Sequence, residues 1–224
     1  MTIELAVLDM AGTTVADDGL VVRAFTAAIA AAGVSEEDSR YPEMLKYVID
    51  TMGQSKITVF RAMLGDEAKA VAANEEFQRA YEKLVAGGEC APIPGAEDVI
   101  RGLRENGVKV ALTTGFAPAT QNAILDALGW HDVADLVLAP GEGVRGRPYP
   151  DLVLTAALRL EIGDVRNVAV AGDTPVDVQT GLRAGASIVA GVLTGSGKRD
   201  EFVAAGATHV LDSIRELPEL LNPA

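Results

Sequence analysis

Four short segments of the sequence carry side chains of the types that phosphoryl transfer requires. Asp9 ends an apolar run, and a carboxylate held at the end of a strand can attack phosphorus and form an acyl phosphate. Thr113, Thr114 and Gly115 end a second apolar run before a helical pattern, where a hydroxyl and free backbone N–H groups can bind a phosphate. Taken singly, each of these two segments is better explained by an ordinary turn or helix cap.

The other two segments supply a cation and a further oxygen ligand. Arg147 precedes Pro148 in a loop, so its guanidinium is held where it can neutralise carboxylate and phosphate oxygens. Asp173 follows another apolar run, at a strand tip where a hard cation such as Mg²⁺ finds oxygen ligands. A plainer role is open to Asp177, because the segment 174–177 has the pattern of a capping box with proline at the first helical position.

Short apolar runs alternate with helical patterns along most of the chain, and this alternation predicts strands and helices. The apolar runs are 3–8, 108–112, 136–138, 168–171, 188–193 and 210–211, and the helical patterns are 96–105, 119–128, 151–160 and 176–184. Runs of this length and composition are typical of strands buried on both faces. The sequence therefore predicts an α/β fold with a doubly wound, Rossmann-like parallel sheet, whose ligands bind beyond the carboxyl ends of the strands.

One long interval departs from this alternation. Between the first and second predicted strands the chain carries only helical patterns, at 21–32, 42–50, 56–64 and 67–85. We predict that residues 17–89 form a small helical cap inserted after the first strand, and that 1–16 and 90–224 form the core. Glycine and proline at 16–19 and 87–95 are typical of hinges between the two parts.

Composition excludes several classes of protein. A net charge of −13 over 224 residues leaves no basic surface for non-specific binding to nucleic acid. The single cysteine, Cys90, cannot form an internal disulfide, which favours a reducing compartment. The first residues lack the pattern of a signal peptide, and no apolar run is long enough to span a membrane. A cytoplasmic protein that acts on a small anionic substrate is the expectation.

The order and spacing of the four segments, with a helical insert after the first, resemble the haloacid dehalogenase superfamily over essentially the whole chain. The resemblance implies that Asp9 is the nucleophile and that Mg²⁺ is bound at Asp9, Ala11 and Asp173. It also implies a phosphate site formed by the threonine segment with Arg147, with Asp177 in a supporting role. A homodimer is compatible with the resemblance, although no interface follows from the residues.

Ala11 differs from the superfamily pattern, and this difference narrows the range of reactions that the sequence suits. Superfamily members that hydrolyse phosphate esters carry a second aspartate at this position, and it protonates the departing alkoxide. Loss of a positioned general acid typically costs about 10²–10⁴-fold in rate, so a carbon leaving group suits this sequence better. The first segment and the stretch 52–57 resemble phosphonoacetaldehyde hydrolases, or phosphonatases. That resemblance implies a Schiff base on Lys56, with Met52 and Gly53 near the substrate.

The surroundings of Lys56 give modest independent support to this assignment. On a helix, Val59, Phe60 and Met63 lie near Lys56, so that the amine borders an apolar stripe that lowers its pKa. Two positions differ from the phosphonatase pattern, because Val59 stands in place of a histidine and Phe116 in place of a tyrosine. The chain is therefore expected to be phosphonatase-like, with phosphonoacetaldehyde or a related phosphonate aldehyde as its substrate.

Two other functions remain open from the sequence. The first is a phosphomonoesterase of the phosphoglycolate phosphatase type, and the second is a non-catalytic phosphate-binding protein. A nucleotide site at 195–198 is not expected, since this stretch lacks the first glycine of a P-loop and the hydroxyl residue after its lysine.

Overall fold

A parallel six-stranded sheet forms the centre of the computed structural model, which describes residues 2–141 and 143–221. Its strands, in the spatial order β3-β2-β1-β4-β5-β6, are β1 (Leu5–Asp9), β2 (Lys109–Thr113), β3 (Leu136–Leu138), β4 (Val168–Gly172), β5 (Ile188–Val192) and β6 (His209–Leu211). The predicted α/β fold with a parallel, Rossmann-like sheet is confirmed. Met1, Glu142 and residues 222–224, which we assigned to the core, lie outside the described residues.

Helices connect the strands and cover both faces of the sheet. They are α1 (Leu20–Ala31), α2 (Tyr41–Asp50), α3 (Lys56–Leu64), α4 (Glu67–Leu84), α5 (Ala96–Glu105), α6 (Pro118–Leu128), α7 (Asp151–Arg159), α8 (Pro175–Ala184), α9 (Arg199–Ala205) and α10 (Leu217–Leu221). A π-type turn at Val85–Glu89 follows α4 and is broken at Gly88, whose φ of 81° is not helical, and short 3₁₀ turns lie at Val165–Asn167 and Ile214–Glu216. None of the helices within the described residues has the length and apolar character needed to cross a bilayer.

Strand β1 occupies the middle of the sheet because it is apolar on both faces. Leu8 packs into the core cluster on one side of the sheet, whereas Leu5 and Val7 pack into the cluster on the other side. Full burial of one such aliphatic side chain contributes about 1.5–3 kcal/mol. Its neighbours β2 and β4 run parallel to it, with Asp9 beside Thr113 in register. The carboxyl ends of these three strands therefore meet at one edge of the sheet.

Most of the interval between β1 and β2 is a helical insert, which we define as residues 20–89, and α5 follows it before β2. Its four α-helices match the predicted segments to within one residue at each end. Aromatic rings join three of these helices, α1, α3 and α4, with Phe25 stacked on Phe60 at 5.0 Å between centroids and Phe60 edge-on to Phe77 at 6.2 Å. The rings continue into the loop after β2, where Phe116 lies 4.6 Å from Tyr81. The insert thus packs directly against the sheet edge where the strands end.

Candidate active site

Asp9 is held at the end of β1 by a tight backbone turn. The N–H groups of Thr13, Thr14 and Val15 all donate to the Met10 carbonyl, at 3.2, 2.9 and 2.8 Å. The Thr14 hydroxyl donates to the Asp9 carbonyl oxygen at 2.9 Å, which fixes the main chain at the carboxylate itself. The Asp9 side chain is buried as a result, and its carboxylate faces the edge of the sheet.

Arg147 bridges two carboxylates at the centre of this edge. Its Nη2 lies 2.7 Å from Asp9 Oδ1, and its Nη1 donates to Asp177 Oδ1. Burial alone would lower the pKa of Arg147, but the charges of Asp177 and Asp9 outweigh it and raise the pKa above its ordinary value. The guanidinium is therefore permanently charged and fixed against Asp9.

Asp177 has two partners, of which the sequence revealed one. The predicted capping box is confirmed, since the Thr174 N–H donates to Asp177 Oδ2 at 3.0 Å and the Thr174 hydroxyl faces the same carboxylate. The other carboxylate oxygen, Oδ1, accepts from Arg147. One side chain thus starts helix α8 and positions the guanidinium.

The loop after β5 holds Asp173. Ser196 donates to Asp173 Oδ2 through its N–H at 2.8 Å and its hydroxyl at 3.2 Å, and the Gly197 N–H donates to the Asp173 carbonyl at 2.9 Å. A methyl group at Gly195 would lie 2.0 Å from Oδ2, and one at Gly12 would lie 2.5 Å from it. We did not predict a role for this loop. Small residues beside the end of a strand were its only signal.

The three buried aspartates fit a divalent cation. One oxygen each from Asp9, Asp173 and Asp177 lies within 4.8 Å of the others. Burial raises the pKa of Asp9 well above its ordinary value, and burial with the Asp177 charge raises that of Asp173 to about 6. Because Arg147 alone cannot balance three buried carboxylates, a cation would relieve the excess charge. Asp177 is already engaged by Arg147 and Thr174, so Asp9 and Asp173 are the carboxylates of this cluster that could hold a cation.

Metal binding should be visible as a gain in thermal stability. At about 100 times its Kd, Mg²⁺ should stabilise the folded protein by about 2.7 kcal/mol, which corresponds to about 5–10 °C in Tm for a chain of this size. The measurement is calorimetry on EDTA-treated protein with and without MgCl₂. The Asp173→Asn variant should lose most of the shift. An equal shift in both proteins would mean that Mg²⁺ acts through general ionic effects and not at this site.

A cavity of about 280 Å³ lies between the insert and the carboxyl ends of the strands. The predicted residues that line it are Asp9, Ala11, Met52, Gly53, Lys56, Thr114, Gly115, Arg147 and Asp173. Thr113 is not among the residues that line the cavity. It is the last residue of β2, and its carbonyl accepts a hydrogen bond from the Met10 N–H at 3.0 Å. The cavity therefore brings residues of the insert and of all three central strand ends together.

Lys56 begins helix α3 and is almost completely buried, with 9% of its surface exposed. Its Nζ lies 5.5 Å from the ring centroid of Phe116 and 5.9 Å from that of Phe77. Burial lowers the pKa of Lys56 to about 8, against the opposing charge of Asp17. A much larger fraction of the amine is then uncharged near neutral pH than for a lysine in water, so the amine can act as a nucleophile.

Asp17 is a cavity residue that the sequence analysis did not identify. It lies in the segment that we interpreted as a hinge, and its Oδ1 accepts from the Val21 N–H at 3.1 Å. Nothing in its local pattern distinguishes it from the neighbouring Asp18. Only the fold, which brings the start of α1 close to Lys56, reveals the proximity.

The parallel sheet, the aspartate at the end of β1 and the acidic cluster beside it define a class of hydrolase. The chain belongs to the haloacid dehalogenase-like hydrolases, whose family model matches residues 3–185.

Relatives within this family share nearly the full length of the chain. The phosphonoacetaldehyde hydrolase of Bordetella pertussis is 30% identical over 98% of this chain and 91% of its own length. That of Bacillus cytotoxicus is 26% identical over 99% of this chain and 96% of its own length. A phosphonoacetaldehyde hydrolase-like protein from Oleispira antarctica superposes with a TM-score of 0.84 at 25% identity, covering 99% of this chain and 92% of that one.

Proposed function

We propose that this hydrolase cleaves the carbon–phosphorus bond of phosphonoacetaldehyde or a closely related phosphonate aldehyde. Asp9 would accept the phosphoryl group, and Lys56 would form a Schiff base with the aldehyde. The observation that carries the proposal is the buried amine of Lys56, which lines the same cavity as Asp9. A partly desolvated amine beside the reacting groups is suited to condense with an aldehyde. The names of the two curated relatives support the same substrate class.

Ala11 supports the proposal independently. It lines the cavity close to Asp9 and has no proton to give to a leaving alkoxide. In the proposed reaction no alkoxide leaves, because the electron pair of the carbon–phosphorus bond passes into the iminium that the Lys56 nitrogen has formed. A general acid at position 11 is then unnecessary.

The residues of the cavity account for each remaining step. The Lys56 amine condenses with the aldehyde, and Asp9 attacks phosphorus as the carbon–phosphorus bond breaks to give an enamine. Arg147 holds the Asp9 carboxylate in place through their ion pair. The Nε–H of Arg147 is buried and has no partner among the described residues, so it is free to donate to a phosphoryl oxygen. Mg²⁺ bound at Asp9 and Asp173 would supply further charge neutralisation. Water then releases phosphate from Asp9, and protonation and hydrolysis of the enamine release the aldehyde product and restore the Lys56 amine.

The direct test is reductive trapping of the Schiff base. Wild-type protein incubated with phosphonoacetaldehyde and borohydride should carry a two-carbon or phosphonoethyl adduct on the peptide that contains Lys56, as measured by mass spectrometry. Trapping should also abolish activity, because the amine is consumed. Normal turnover without an adduct on Lys56 would refute the Schiff base.

A panel of substrates distinguishes the proposed function from the alternative, a phosphomonoesterase of the phosphoglycolate phosphatase type. Phosphate release from phosphonate aldehydes is compared with release from phosphoglycolate and other small esters under the same Mg²⁺ concentration. Preference for the esters would favour the alternative, and lack of turnover on both classes would favour a phosphate-binding protein.

We further propose that the helical insert acts as a cap that opens for the substrate. Gly19 precedes it and Gly88 lies just before its end, with φ values of 79° and 81°, in the left-handed region that glycine adopts without strain. In the present arrangement the insert meets the core closely at Gly115. A methyl group there would lie 2.8 Å from the Gln54 carbonyl oxygen and 2.9 Å from that of Gly53.

Gly115→Ala should therefore impair closure. Because a displacement of about 1 Å at a reacting centre can cost about 10²-fold, we expect kcat/KM to fall by about this factor while the protein still unfolds cooperatively. Steady-state kinetics and thermal melting provide the two readings. Gly102→Ala in α5 is the matched control, since its added methyl group meets open space and should leave kcat/KM unchanged. Wild-type kinetics for Gly115→Ala would contradict tight closure.

A further inference from the structure

We propose that Asp17 carries the protons for Schiff-base formation at Lys56, accepting one from the ammonium and returning it to the departing hydroxyl. This inference rests on the proposed function, since it concerns the amine chemistry of Lys56. Imine formation needs a group that can both accept and donate a proton close to the amine. The question is therefore which side chain of the cavity can do so.

The position of Asp17 suits this role. It is half-buried, lines the same cavity as Lys56 and lies in the loop between β1 and α1. Its Oδ1 is anchored by the Val21 N–H at 3.1 Å, while Oδ2 has no hydrogen-bond partner among the described residues. The carboxylate is thus fixed by one oxygen, and the other is free to exchange a proton.

The charge of Asp17 acts on the Lys56 amine more strongly than any other charged group does. Of the charged groups that act on Lys56, which are Asp17, Arg147, Asp9 and Asp173, the largest effect comes from Asp17. Burial raises the pKa of Asp17, although its hydrogen bond to Val21 and the Lys56 charge oppose this; Asp18 adds to the rise. Burial lowers the pKa of Lys56 to about 8. The two pKa values move towards each other, so transfer of a proton between the groups becomes less unfavourable.

Other candidates are excluded by their place or their chemistry. His131 and His209 are exposed and bonded to Asp126 and Thr208, and neither lines the cavity. Tyr81 is close enough to feel the charge of Asp17, but burial raises the pKa of its phenol, which stays protonated and cannot accept a proton. Asp9 and Asp173 are reserved for phosphoryl transfer and for the cation. Asp18 also lines the cavity, but it is exposed and is not among the charges that act on Lys56, so Asp17 is the carboxylate that remains.

The proton and electron balance of the step is complete. The Asp17 carboxylate takes a proton from the Lys56 ammonium, and the freed nitrogen lone pair attacks the aldehyde carbon while the carbonyl π pair moves to oxygen. A proton passes from nitrogen to this oxygen, giving a carbinolamine. The Asp17 carboxylic acid then protonates the hydroxyl, which leaves as water as the nitrogen lone pair forms the C=N bond. Ammonium and aldehyde thus become iminium and water, and the Asp17 carboxylate is restored.

This scheme makes a specific prediction for the pH dependence. The productive pair holds one proton, so the rate of trapping by cyanoborohydride with phosphonoacetaldehyde in the wild type should decline above about pH 8, where that proton is lost. Asp17→Asn should slow trapping near neutral pH by about 10²-fold, the typical effect of losing general acid–base catalysis. Its residual rate should instead increase with pH until Lys56 is fully uncharged. Asp17→Glu should restore part of the rate.

The rate of Lys56 acetylation is a second measurement, and it distinguishes a role in proton transfer from a structural role. Asp17→Asn removes the charge that favours the ammonium, so the pKa of Lys56 should fall further and acetylation of Lys56 by acetic anhydride at pH 7 should become several-fold faster. Imine formation should become slower in the same variant. Asp18→Asn, which removes a neighbouring exposed carboxylate, should leave both rates close to those of the wild type.

The outcomes distinguish this inference from the proposed function. If the wild type forms no adduct on Lys56, the Schiff-base proposal fails and the inference fails with it. If the wild type is trapped but Asp17→Asn is trapped at the same rate and with the same pH dependence, only the inference is overturned. Slowing of both acetylation and trapping in Asp17→Asn would assign Asp17 a structural role and would also overturn it.

Discussion

Asp9→Asn should lower kcat for phosphate release by about 10⁴–10⁶-fold, the range expected when a covalent nucleophile is removed. The amide has nearly the same shape as the carboxylate but cannot form an acyl phosphate. Its loss should not prevent Schiff-base trapping on Lys56, because that step does not involve Asp9. Phosphate release is the first measurement, and mass spectrometry of the trapped peptide is the second.

The same substitution should not destabilise the metal-free protein. Burial and the neighbouring Asp177 and Asp173 charges disfavour ionised Asp9 in the folded state, whereas Arg147 favours it. An uncharged amide avoids the cost of desolvating the carboxylate, and Arg147 keeps its contact with Asp177. In EDTA, the Tm of Asp9→Asn should equal or exceed that of the wild type. A large fall in Tm would show that lost activity reflects misfolding and would contradict this account of the site.

Lys56→Met should remove activity on phosphonoacetaldehyde almost completely, by at least about 10³-fold in kcat, because no other amine lines the cavity within the described residues. Methionine is unbranched and apolar, so it should fill the space beside Phe77 and Phe116 without leaving a buried charge. The Tm should therefore be retained. The assay is phosphate release, followed together with acetaldehyde formation.

Two controls sharpen this result. Lys46→Met changes an exposed helical lysine that pairs with Asp50, and should retain wild-type kinetics. An activated aryl phosphate needs no Schiff base, so any slow release of phosphate from it through Asp9 should persist in Lys56→Met. If both substrates are lost together, Lys56 shapes the cavity and does not carry the chemistry.

The central part of the site could be predicted because it depends on strand ends. Asp9 and Asp173 each follow an apolar run, and parallel strands bring their carboxyl ends to one edge. The capping box of Asp177 is equally local, since its two partners are three residues apart. Arg147 was identified from a loop pattern, but its simultaneous contact with Asp9 and Asp177 emerges only in the fold.

What the sequence did not reveal depends on contacts between distant segments. The pattern around Lys56 placed apolar neighbours from its own helix beside the amine, whereas the rings near Nζ come from Phe77 on α4 and Phe116 after β2. Ser196 and Asp17 are separated by long stretches of chain from the residues that they serve. Helical and strand periodicity describes the faces of one element and carries no information about which loops meet.

The ends of individual strands are also hard to predict from the sequence, because they depend on pairing with neighbouring strands. The first apolar run was placed at 3–8, whereas β1 spans Leu5–Asp9 and includes the polar residue that ends it. Asp9 continues the ladder because its main chain pairs with Thr113 of β2. Pairing with a neighbouring strand, and not the polarity of the side chain, decides where the strand ends.

The double role of Asp177 constrains how this protein can acquire new substrates. Any replacement at this position alters the start of α8 and the orientation of Arg147 at once, so few changes there preserve both. Met52 lies on the insert and lines the cavity, so a substitution there can reshape the cavity without disturbing that helix. Variation in specificity among descendants of this chain should therefore accumulate in the insert, while the strand ends stay fixed.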